Sequence, residues 1–179
     1  MAWPRSKPPS ATSPPPHTYR HHNRERRRAE VKCQTEAMAL SLDHALDWAA
    51  GRKHGVLVTL RRDGRAQTSD IVYAVVDGAI TVSLTATRAK TANMRRDPRV
   101  VLHVTSPDTW SYVSFDGVAD LGPVTVDPTD AAADDLVAVY QAVTGTDHPD
   151  WDEFRNAMVD EQRQVLRIRP DSAVGQING

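Results

Sequence analysis

The chain has 179 residues, with 22 basic and 23 acidic side chains, which gives a formal net charge of −1. This length predicts one domain of ordinary size. The sequence contains no run of about 18 apolar residues, so no membrane-spanning segment is predicted. The single cysteine, Cys33, excludes an internal disulfide and a cysteine-rich zinc site. These features predict a small protein of the reducing cytoplasm.

The charges divide unevenly along the chain. Residues 1–32 carry eight basic and two acidic groups, so 14 basic and 21 acidic groups remain for residues 33–179. The first segment therefore has a net charge of +6 and the second a net charge of −7. Six of the twelve prolines also lie within the first 16 residues. We therefore separate an N-terminal tail, residues 1–37, from a domain at residues 38–179.

The N-terminal tail shows no apolar periodicity and contains a charged run from His21 to Arg28. Such a segment buries too little apolar surface to offset the entropy of ordering it, which predicts disorder. Arg26-Arg27-Arg28 would attract nucleic acid only unspecifically, so we expect no specific nucleic-acid partner. A further interpretation is that the tail precedes the true start, because Met38 immediately opens the domain.

The first part of the domain predicts one helix and three strands. Ser41 can cap a helix that ends at Gly51 and places apolar residues at i, i+3, i+4 and i+7. Strands are expected at residues 55–60, 65–76 and 79–84. The pairs Asp63-Gly64 and Asp77-Gly78 favour tight turns between them, because glycine adopts a positive φ. This pattern predicts an antiparallel meander.

The second part predicts three helices. A short helix should follow residue 87 and end at Asp97-Pro98, because the residue before proline avoids the α region. The next helix is expected to begin at Asp127-Pro128, with proline at its first position, and to end near Gly145. The last should begin at Asp150 and place its apolar residues, Trp151, Phe154 and Met158, on one side.

The remaining strands complete the predicted fold. They are expected at residues 100–104, 111–121 and 164–168, with a bulge or turn at Asp116-Gly117. About six strands with helices between them indicate a mainly β fold, an antiparallel barrel with peripheral helices. Because a barrel of this size with few aromatic residues is marginally stable alone, we also expect a homodimer.

A basic stretch at residues 88–99 is the first candidate site in this acidic domain. Its five cations are Arg88, Lys90, Arg95, Arg96 and Arg99. Free N–H groups at the start of the short helix, next to Arg88 and Lys90, would favour an anion such as phosphate. The alternative is a solvated basic helix.

Aromatic and polar side chains on the strands form a second candidate site. Trp110 and Tyr112, which flank Ser111, share one strand face and could line a flat ring system, or belong to the core or a dimer interface. Gln67 and Ser69 also share a face. The scattered histidines have no metal-ligand spacing, so no metal site is expected. No nucleophile with its base is recognisable, so a catalytic residue stays unknown and an enzyme would need a cofactor.

These residues are similar to a known family. The strand and turn at residues 55–64, followed by Gln67-Thr68-Ser69, resemble the pyridoxamine 5′-phosphate oxidase-like split-barrel superfamily. The run Arg88-Ala89-Lys90-Thr91, with Asn93 and then Arg95-Arg96-Asp97-Pro98-Arg99, resembles its branch of deazaflavin-dependent oxidoreductases, which use coenzyme F-420. Trp110-Ser111-Tyr112 and residues 151–158 fit the same branch. The resemblance covers residues 40–175 and none of the tail.

The resemblance implies a split β-barrel homodimer with two cofactor sites at the subunit interface. The phosphate would be held by Arg88 and Lys90, with N–H groups of Ala89 and Thr91. Aromatic residues of the partner subunit, at positions 110 and 112, would approach the cofactor. The cofactor-binding residues that it implies are Gln67, Ser69, Arg88, Ala89, Lys90, Thr91, Asn93, Trp110, Ser111, Tyr112 and Arg155, the last near the acidic tail of the cofactor.

The implied function is an F-420-dependent oxidoreductase that transfers a hydride from reduced deazaflavin to a conjugated small-molecule acceptor. An FMN-binding enzyme of the same fold is one alternative, because a basic phosphate site suits FMN equally well. A protein that binds F-420 without turnover is another. Asp70 departs from the pattern of the branch, which often has asparagine there, and would either repel an anionic ligand or pair with an arginine.

Overall fold

The computed structural model describes residues 39–106 and 110–178, so the predicted disorder of the N-terminal tail lies outside the described residues. The strands are β1 (Ala39–Leu40), β2 (His54–Leu60), β3 (Ala66–Val72), β4 (Ala74–Val76), β5 (Ala79–Thr85), β6 (Arg99–Thr105), β7 (Tyr112–Val124) and β8 (Arg163–Gln176). The helices are α1 (Leu42–Ala50), α2 (Ala89–Arg96), α3 (Ala131–Thr144) and α4 (Trp151–Asp160). None of the described helices has the length and apolar character needed to cross a bilayer.

The strands form one curled antiparallel sheet in the order β3-β2-β6-β7-β8-β5-β4, and β1 pairs with β8. Its two ends approach each other, so that β3 lies near β5. Within the described residues no ladder joins these two strands, which leaves the barrel split between them. The predicted fold class, an antiparallel barrel with peripheral helices, is confirmed.

The predicted meander is wrong at its second strand, which breaks at Tyr73. Residues 66–72 pair with β2, whereas residues 74–76 pair with β5 at the other end of the sheet. The Tyr73 N–H donates to the Lys53 carbonyl at 2.9 Å, and its buried hydroxyl donates to the Ala49 carbonyl at 2.9 Å. These two bonds turn the chain away from β2, so the two hairpins end on opposite sides of the split.

We expect Tyr73→Phe to lower the free energy of unfolding by about 1–2 kcal/mol, because the variant loses a buried hydrogen bond. Burial raises the pKa of Tyr73 to about 12, from 10.0. The unfolded chain therefore ionises first, and the wild-type protein loses stability as the pH rises from about 10 to about 12.

Because the phenylalanine variant lacks this ionisation, the stability difference between the two proteins should shrink over that range. Denaturant unfolding at pH 8 and pH 11 measures it. A difference that stays constant between these pH values would contradict the assigned role of the hydroxyl.

Helix α3 begins later than predicted. Its N-cap is Asp130, whose carboxylate accepts hydrogen bonds from the N–H groups of Val126 at 2.8 Å and Ala133 at 2.7 Å. The bond from Val126 is the largest of several causes that lower the pKa of Asp130 to about 2. Asp127 instead accepts from the N–H and hydroxyl of Thr129, in a turn before the helix. Of these two aspartates, only Asp130 accepts a hydrogen bond from the first turn of the helix.

The other predicted helix ends are confirmed. Ser41 and Asp150 cap α1 and α4, Asp97 follows α2, and Gly145 ends α3 with a φ of 76°. The predicted bulge at Asp116-Gly117 is also present. Strand β8 is much longer than predicted, with 14 residues, and β7 continues past the bulge to residue 124, because the two strands pair with each other along nearly their whole length.

Two apolar clusters hold the domain together. The larger fills the curled sheet and includes Leu57, Leu102, Phe115 and Ile168, all fully buried. The smaller joins α3 and α4 to the edge of the sheet, through Leu136, Val139, Met158 and Val165. The two helices therefore cover the sheet next to the split between β3 and β5.

Candidate functional site

A polar cavity of about 520 Å³ lies where β3, β5 and the start of α2 meet. The residues that line it are Gln67, Ser69, Ser83, Leu84, Thr85, Arg88, Ala89, Lys90 and Arg163. Five of the residues predicted to bind a cofactor are among them, in two groups about 20 residues apart in sequence. They converge because the ends of the curled sheet approach each other at the split.

The start of α2 faces this cavity with free backbone donors. Arg88 is the N-cap and has extended backbone, with no side-chain hydrogen bond that caps the helix. The N–H groups of Ala89 and Lys90 have no acceptor within the helix, as in the first turn of any α-helix. These groups and the partial positive charge of the helix N-terminus favour an anion.

Thr91 secures this helix start from the inside. The resemblance makes its N–H a phosphate donor, but that N–H donates to the Arg88 carbonyl at 3.0 Å. Its buried hydroxyl donates to the Thr85 carbonyl at 2.9 Å. Thr91 therefore holds the chain between β5 and α2 in place, and the free donors are those of Ala89 and Lys90.

Two cations of the cavity lack an acidic partner among the described residues. Six other arginines in residues 39–106 and 110–178 form ion pairs of 2.6–3.1 Å, namely Arg65, Arg99, Arg155, Arg163, Arg167 and Arg169. Neither Arg88 nor Lys90 has such a pair with any described residue. The pKa of Lys90 is lowered by burial and then by repulsion from Arg88 and Arg163. A bound anion would relieve this repulsion, because it would compensate three neighbouring positive charges.

Arg163 is a residue of the cavity that sequence reasoning missed. It opens β8, donates to the carbonyl of Ser83 at 3.4 Å and pairs with Glu161 at 2.8 Å. It lies more than 70 residues beyond Lys90 in the sequence. No local motif marks it, and its place in the cavity follows from the pairing of β8 with β5.

Asn93 supports the cavity from behind without lining it. Its buried amide Nδ2 donates to Thr59 Oγ1 at 3.1 Å and to Gln67 Oε1 at 3.2 Å. Its Oδ1 accepts from Arg96 Nη2 at 3.3 Å. Since the Oε1 of Gln67 is engaged in this way, Gln67 presents its Nε2 as a donor to a ligand.

Strand β7 begins at Tyr112, and neither Tyr112 nor the preceding Trp110 and Ser111 lines the polar cavity of their own chain. The buried hydroxyl of Ser111 accepts from the Asn178 N–H at 3.1 Å, and the side chain of Trp110 is 75% exposed. The ring of Tyr112 lies 5.9 Å from that of His103. The part of the site that the resemblance assigns to these three residues is therefore absent from the cavity as one chain forms it.

Arg155 is engaged away from the polar cavity. Its Nη1 donates to the Pro128 carbonyl at 2.8 Å, and its Nη2 pairs with Asp134 at 2.7 Å. Both interactions join α4 to the first turn of α3 and the segment before it. In this structure Arg155 therefore stabilises the packing of the two helices.

Asp70 is exposed on β3, near Lys90. It has no ion pair with an arginine, so of the two roles considered for it only repulsion of an anionic ligand fits the described residues. It raises the pKa of Lys90, against the larger effects that lower it. Its negative charge therefore reduces the positive potential of the cavity.

We expect Asp70→Asn to increase the affinity for inorganic phosphate about two- to fivefold, which is typical of one solvent-screened charge. Titration calorimetry at low ionic strength measures this change. Asp77→Asn, in the exposed turn before β5, removes the same charge and should leave the affinity unchanged. Equal effects of the two variants would mean that only the net charge matters.

The chemistry available at the polar cavity is binding and orientation. Its lining contains guanidinium, ammonium, amide and hydroxyl groups, and no imidazole, thiol or carboxylate. Among the described residues no three histidine, cysteine, aspartate or glutamate side chains are placed to hold a metal ion. A reaction at this cavity would therefore depend on a bound cofactor.

Comparison with known proteins agrees with this architecture. The sequence model of the pyridoxamine 5′-phosphate oxidase family matches residues 42–176, which include both sides of the split and α2. A conserved hypothetical protein from Mycobacterium tuberculosis, Rv2991, is 25% identical, with a TM-score of 0.62 over 79% of this chain and 94% of that one. A heme-binding protein from Mycobacterium smegmatis is 20% identical, with a TM-score of 0.55 over 76% of this chain and 54% of that one.

A structure described as an F420 reductase is 26% identical and covers 68% of this chain and 88% of its own, with a TM-score of 0.49. The family match covers three quarters of the sequence, and the fold is similar to that of the Mycobacterium tuberculosis protein. The sequence resemblance to the superfamily is thereby confirmed. The chain belongs to the pyridoxamine 5′-phosphate oxidase family and has its split-barrel fold.

Proposed function

We propose that this protein binds coenzyme F-420 at the polar cavity and is an oxidoreductase that reduces a conjugated small-molecule acceptor. The observation that carries this proposal is the pair of cations at the N-terminus of α2, Arg88 and Lys90, which have no acidic partner in residues 39–106 and 110–178. Membership of a family of flavin-related proteins supports a phosphorylated cofactor of this kind. The resemblance of residues 88–99 to the deazaflavin branch favours F-420 over FMN.

The donors of the polar cavity fit a phosphorylated cofactor. The planar guanidinium of Arg88, the ammonium of Lys90 and the N–H groups that open α2 would hold the phosphate. The Nε2 of Gln67 and the hydroxyl of Ser69, on the edge of β3, would donate to polar atoms further along the cofactor. When bound, reduced F-420 supplies a hydride. The contribution of the chain is to bind and orient the reacting molecules.

We also propose that a second copy of the chain completes each site. Trp110 and Tyr112 do not line the cavity of their own chain, so a role next to the cofactor requires them to come from a partner subunit. Mixed dimers can test this. One parent is Arg88→Ala/Lys90→Ala and the other is Trp110→Ala/Tyr112→Ala, and neither should have activity by itself.

A dimer with one subunit of each kind has one intact site. Random exchange of subunits should therefore restore about a quarter of the wild-type activity. A mixture that stays as inactive as its parents, although mass spectrometry shows mixed dimers, would contradict shared sites.

The cofactor is tested by titration of the full chain with F-420 and with FMN, followed by ligand fluorescence. We expect F-420 to bind with a Kd of about 1 μM or below, and Arg88→Ala to weaken it about tenfold, which corresponds to one charge-assisted hydrogen bond. Oxidation of reduced F-420 is then followed after mixing with conjugated acceptors. Preference for FMN would move the protein to the flavin enzymes, and binding without turnover would make it an F-420-binding protein.

A further inference from the structure

A second cavity, of about 360 Å³, opens beside the polar cavity, between the split of the sheet and helices α3 and α4. The two cavities share Ser83, Leu84, Lys90 and Arg163. We call the second one the helix-covered cavity. Its volume lies in the usual range of small-molecule sites, and it belongs to a single chain.

The two ends of the helix-covered cavity differ in polarity. Towards the helices its walls are apolar, with Leu136, Val139 and Val143 from α3 and Phe154 and Met158 from α4. Next to the polar cavity it ends at two cations, Lys90 and Arg163, which line both cavities. An apolar group buried along the helices would be stabilised by its removal from water.

The charged side chains at the polar end determine whether an anionic or a cationic ligand is preferred. Arg163 is already paired with Glu161, whereas Lys90 has no ion pair with any described residue. Asp70 is the one carboxylate in the lining, and it is exposed. A carboxylate ligand would therefore find an uncompensated ammonium, while an ammonium ligand would meet the repulsion of Lys90 and Arg163.

The walls of the helix-covered cavity are held in place by other contacts. Tyr140 and Phe154 belong to a cluster of four rings with His148 and Trp151, whose centroids lie 5.1–5.9 Å apart. This cluster joins α3 to α4. The helices also pack on β8 through Val165. The cavity is therefore formed before a ligand arrives, as small-molecule sites generally are.

We propose that the helix-covered cavity is a binding site for a small apolar carboxylic acid. The carboxylate binds at Lys90, and the apolar chain or ring lies between β5 and the two helices. This inference concerns binding and stands apart from the identity of the cofactor.

The experiment uses the full chain, with 8-anilinonaphthalene-1-sulfonate as a fluorescent apolar anion and three competitors of equal chain length. Octanoate should displace the probe at a concentration about tenfold lower than 1-octanol, because one charge-assisted hydrogen bond separates the two. Octylamine should be no better than 1-octanol. Displacement by octylamine as strong as by octanoate would overturn the proposal.

Variants locate the site. Val143→Trp fills the cavity from α3 and should reduce the affinity for octanoate about tenfold or more, because its apolar part loses its place. Ala142→Trp is the matched control, since residue 142 is exposed and lies outside the lining. Octanoate affinity that is equal in the two variants would overturn the proposal.

Lys90→Met provides a second, independent variant, should the tryptophan substitution disturb folding. It should remove the preference for octanoate over 1-octanol and leave the affinity for 1-octanol within about twofold of the wild-type value. A preference that persists would also overturn the proposal. F-420 is also titrated into the wild-type protein and into the Val143→Trp variant, to separate this proposal from the proposed function. A protein that binds octanoate but does not bind F-420 would contradict only the proposed function.

Discussion

Arg88→Ala/Lys90→Ala should weaken the binding of F-420 about 100-fold relative to the wild-type protein. Each side chain would contribute a charge-assisted hydrogen bond of about 1.5–3 kcal/mol to the phosphate, and 1.4 kcal/mol corresponds to a tenfold change in Kd. Both cations lie in the polar cavity next to the free N–H groups of α2. Fluorescence titration of the cofactor measures the loss.

The same double variant should keep the stability of the wild-type domain. Neither side chain has an ion pair with a described residue, so their removal leaves no carboxylate without a partner. It also removes a lysine whose pKa is lowered by burial and by repulsion from Arg88 and Arg163 in the wild-type protein. Loss of binding with unchanged or higher stability is typical of residues that serve a ligand at the expense of the fold. A large decrease in the denaturation midpoint would show instead that these cations hold the structure.

Arg61→Ala/Arg62→Ala is the matched control for this variant. It removes two positive charges from the exposed turn between β2 and β3, which does not line the polar cavity. We expect its affinity for F-420 to stay within about threefold of the wild-type value, because solvent and salt screen charges at that distance. An equal loss in both variants would mean that nonspecific attraction to basic side chains, rather than a specific site, holds the cofactor.

Gly175→Ala should have the largest effect on stability, a decrease of about 3 kcal/mol in the free energy of unfolding. A Cβ atom at residue 175 would lie 2.1 Å from the Tyr112 carbonyl oxygen and 2.9 Å from the Cα of Val113. Both are backbone atoms of β7, which cannot move without loss of its long ladder with β8. Urea denaturation measures the decrease, with the slope of the transition as a check for two-state unfolding.

Gly51→Ala is the corresponding control. The nearest atom to its added Cβ is the Trp48 carbonyl oxygen, at 3.9 Å, and the backbone there has a φ of −74° that alanine readily adopts. We expect its stability to stay within about 0.5 kcal/mol of the wild-type value. If both variants were equally unstable, the close approach of β7 and β8 would not be the cause.

Local backbone chemistry made several elements of this fold predictable. The two Asp-Gly turns are confirmed by positive φ values of 80° at Gly64 and 73° at Gly78. Ser41 and Asp150 cap the helices that follow them, because each side chain accepts a hydrogen bond from a residue three positions ahead. Interactions over three or four residues depend little on the rest of the chain, so the sequence reveals them.

The strand order depended on contacts that no local pattern carries. The run at residues 65–76 has the composition of one strand, and only the distant carbonyls of Ala49 and Lys53 break it at Tyr73. That break sends β3 and β4 to opposite ends of the sheet and creates the split. The length of β8 was missed for a similar reason, since its last residues are fixed by pairing with β7.

The candidate site also has features that local sequence predicts and features that depend on distant contacts. The short helix, its two leading cations and the acidic domain around them could be predicted, because these depend on neighbouring residues and on composition. That Arg163 joins these cations, that Thr91 turns inward and that an apolar cavity opens beside them became visible only in the folded chain. Those features require β8, α3 and α4 to return to the split, and burial of apolar surface across the whole chain drives that return.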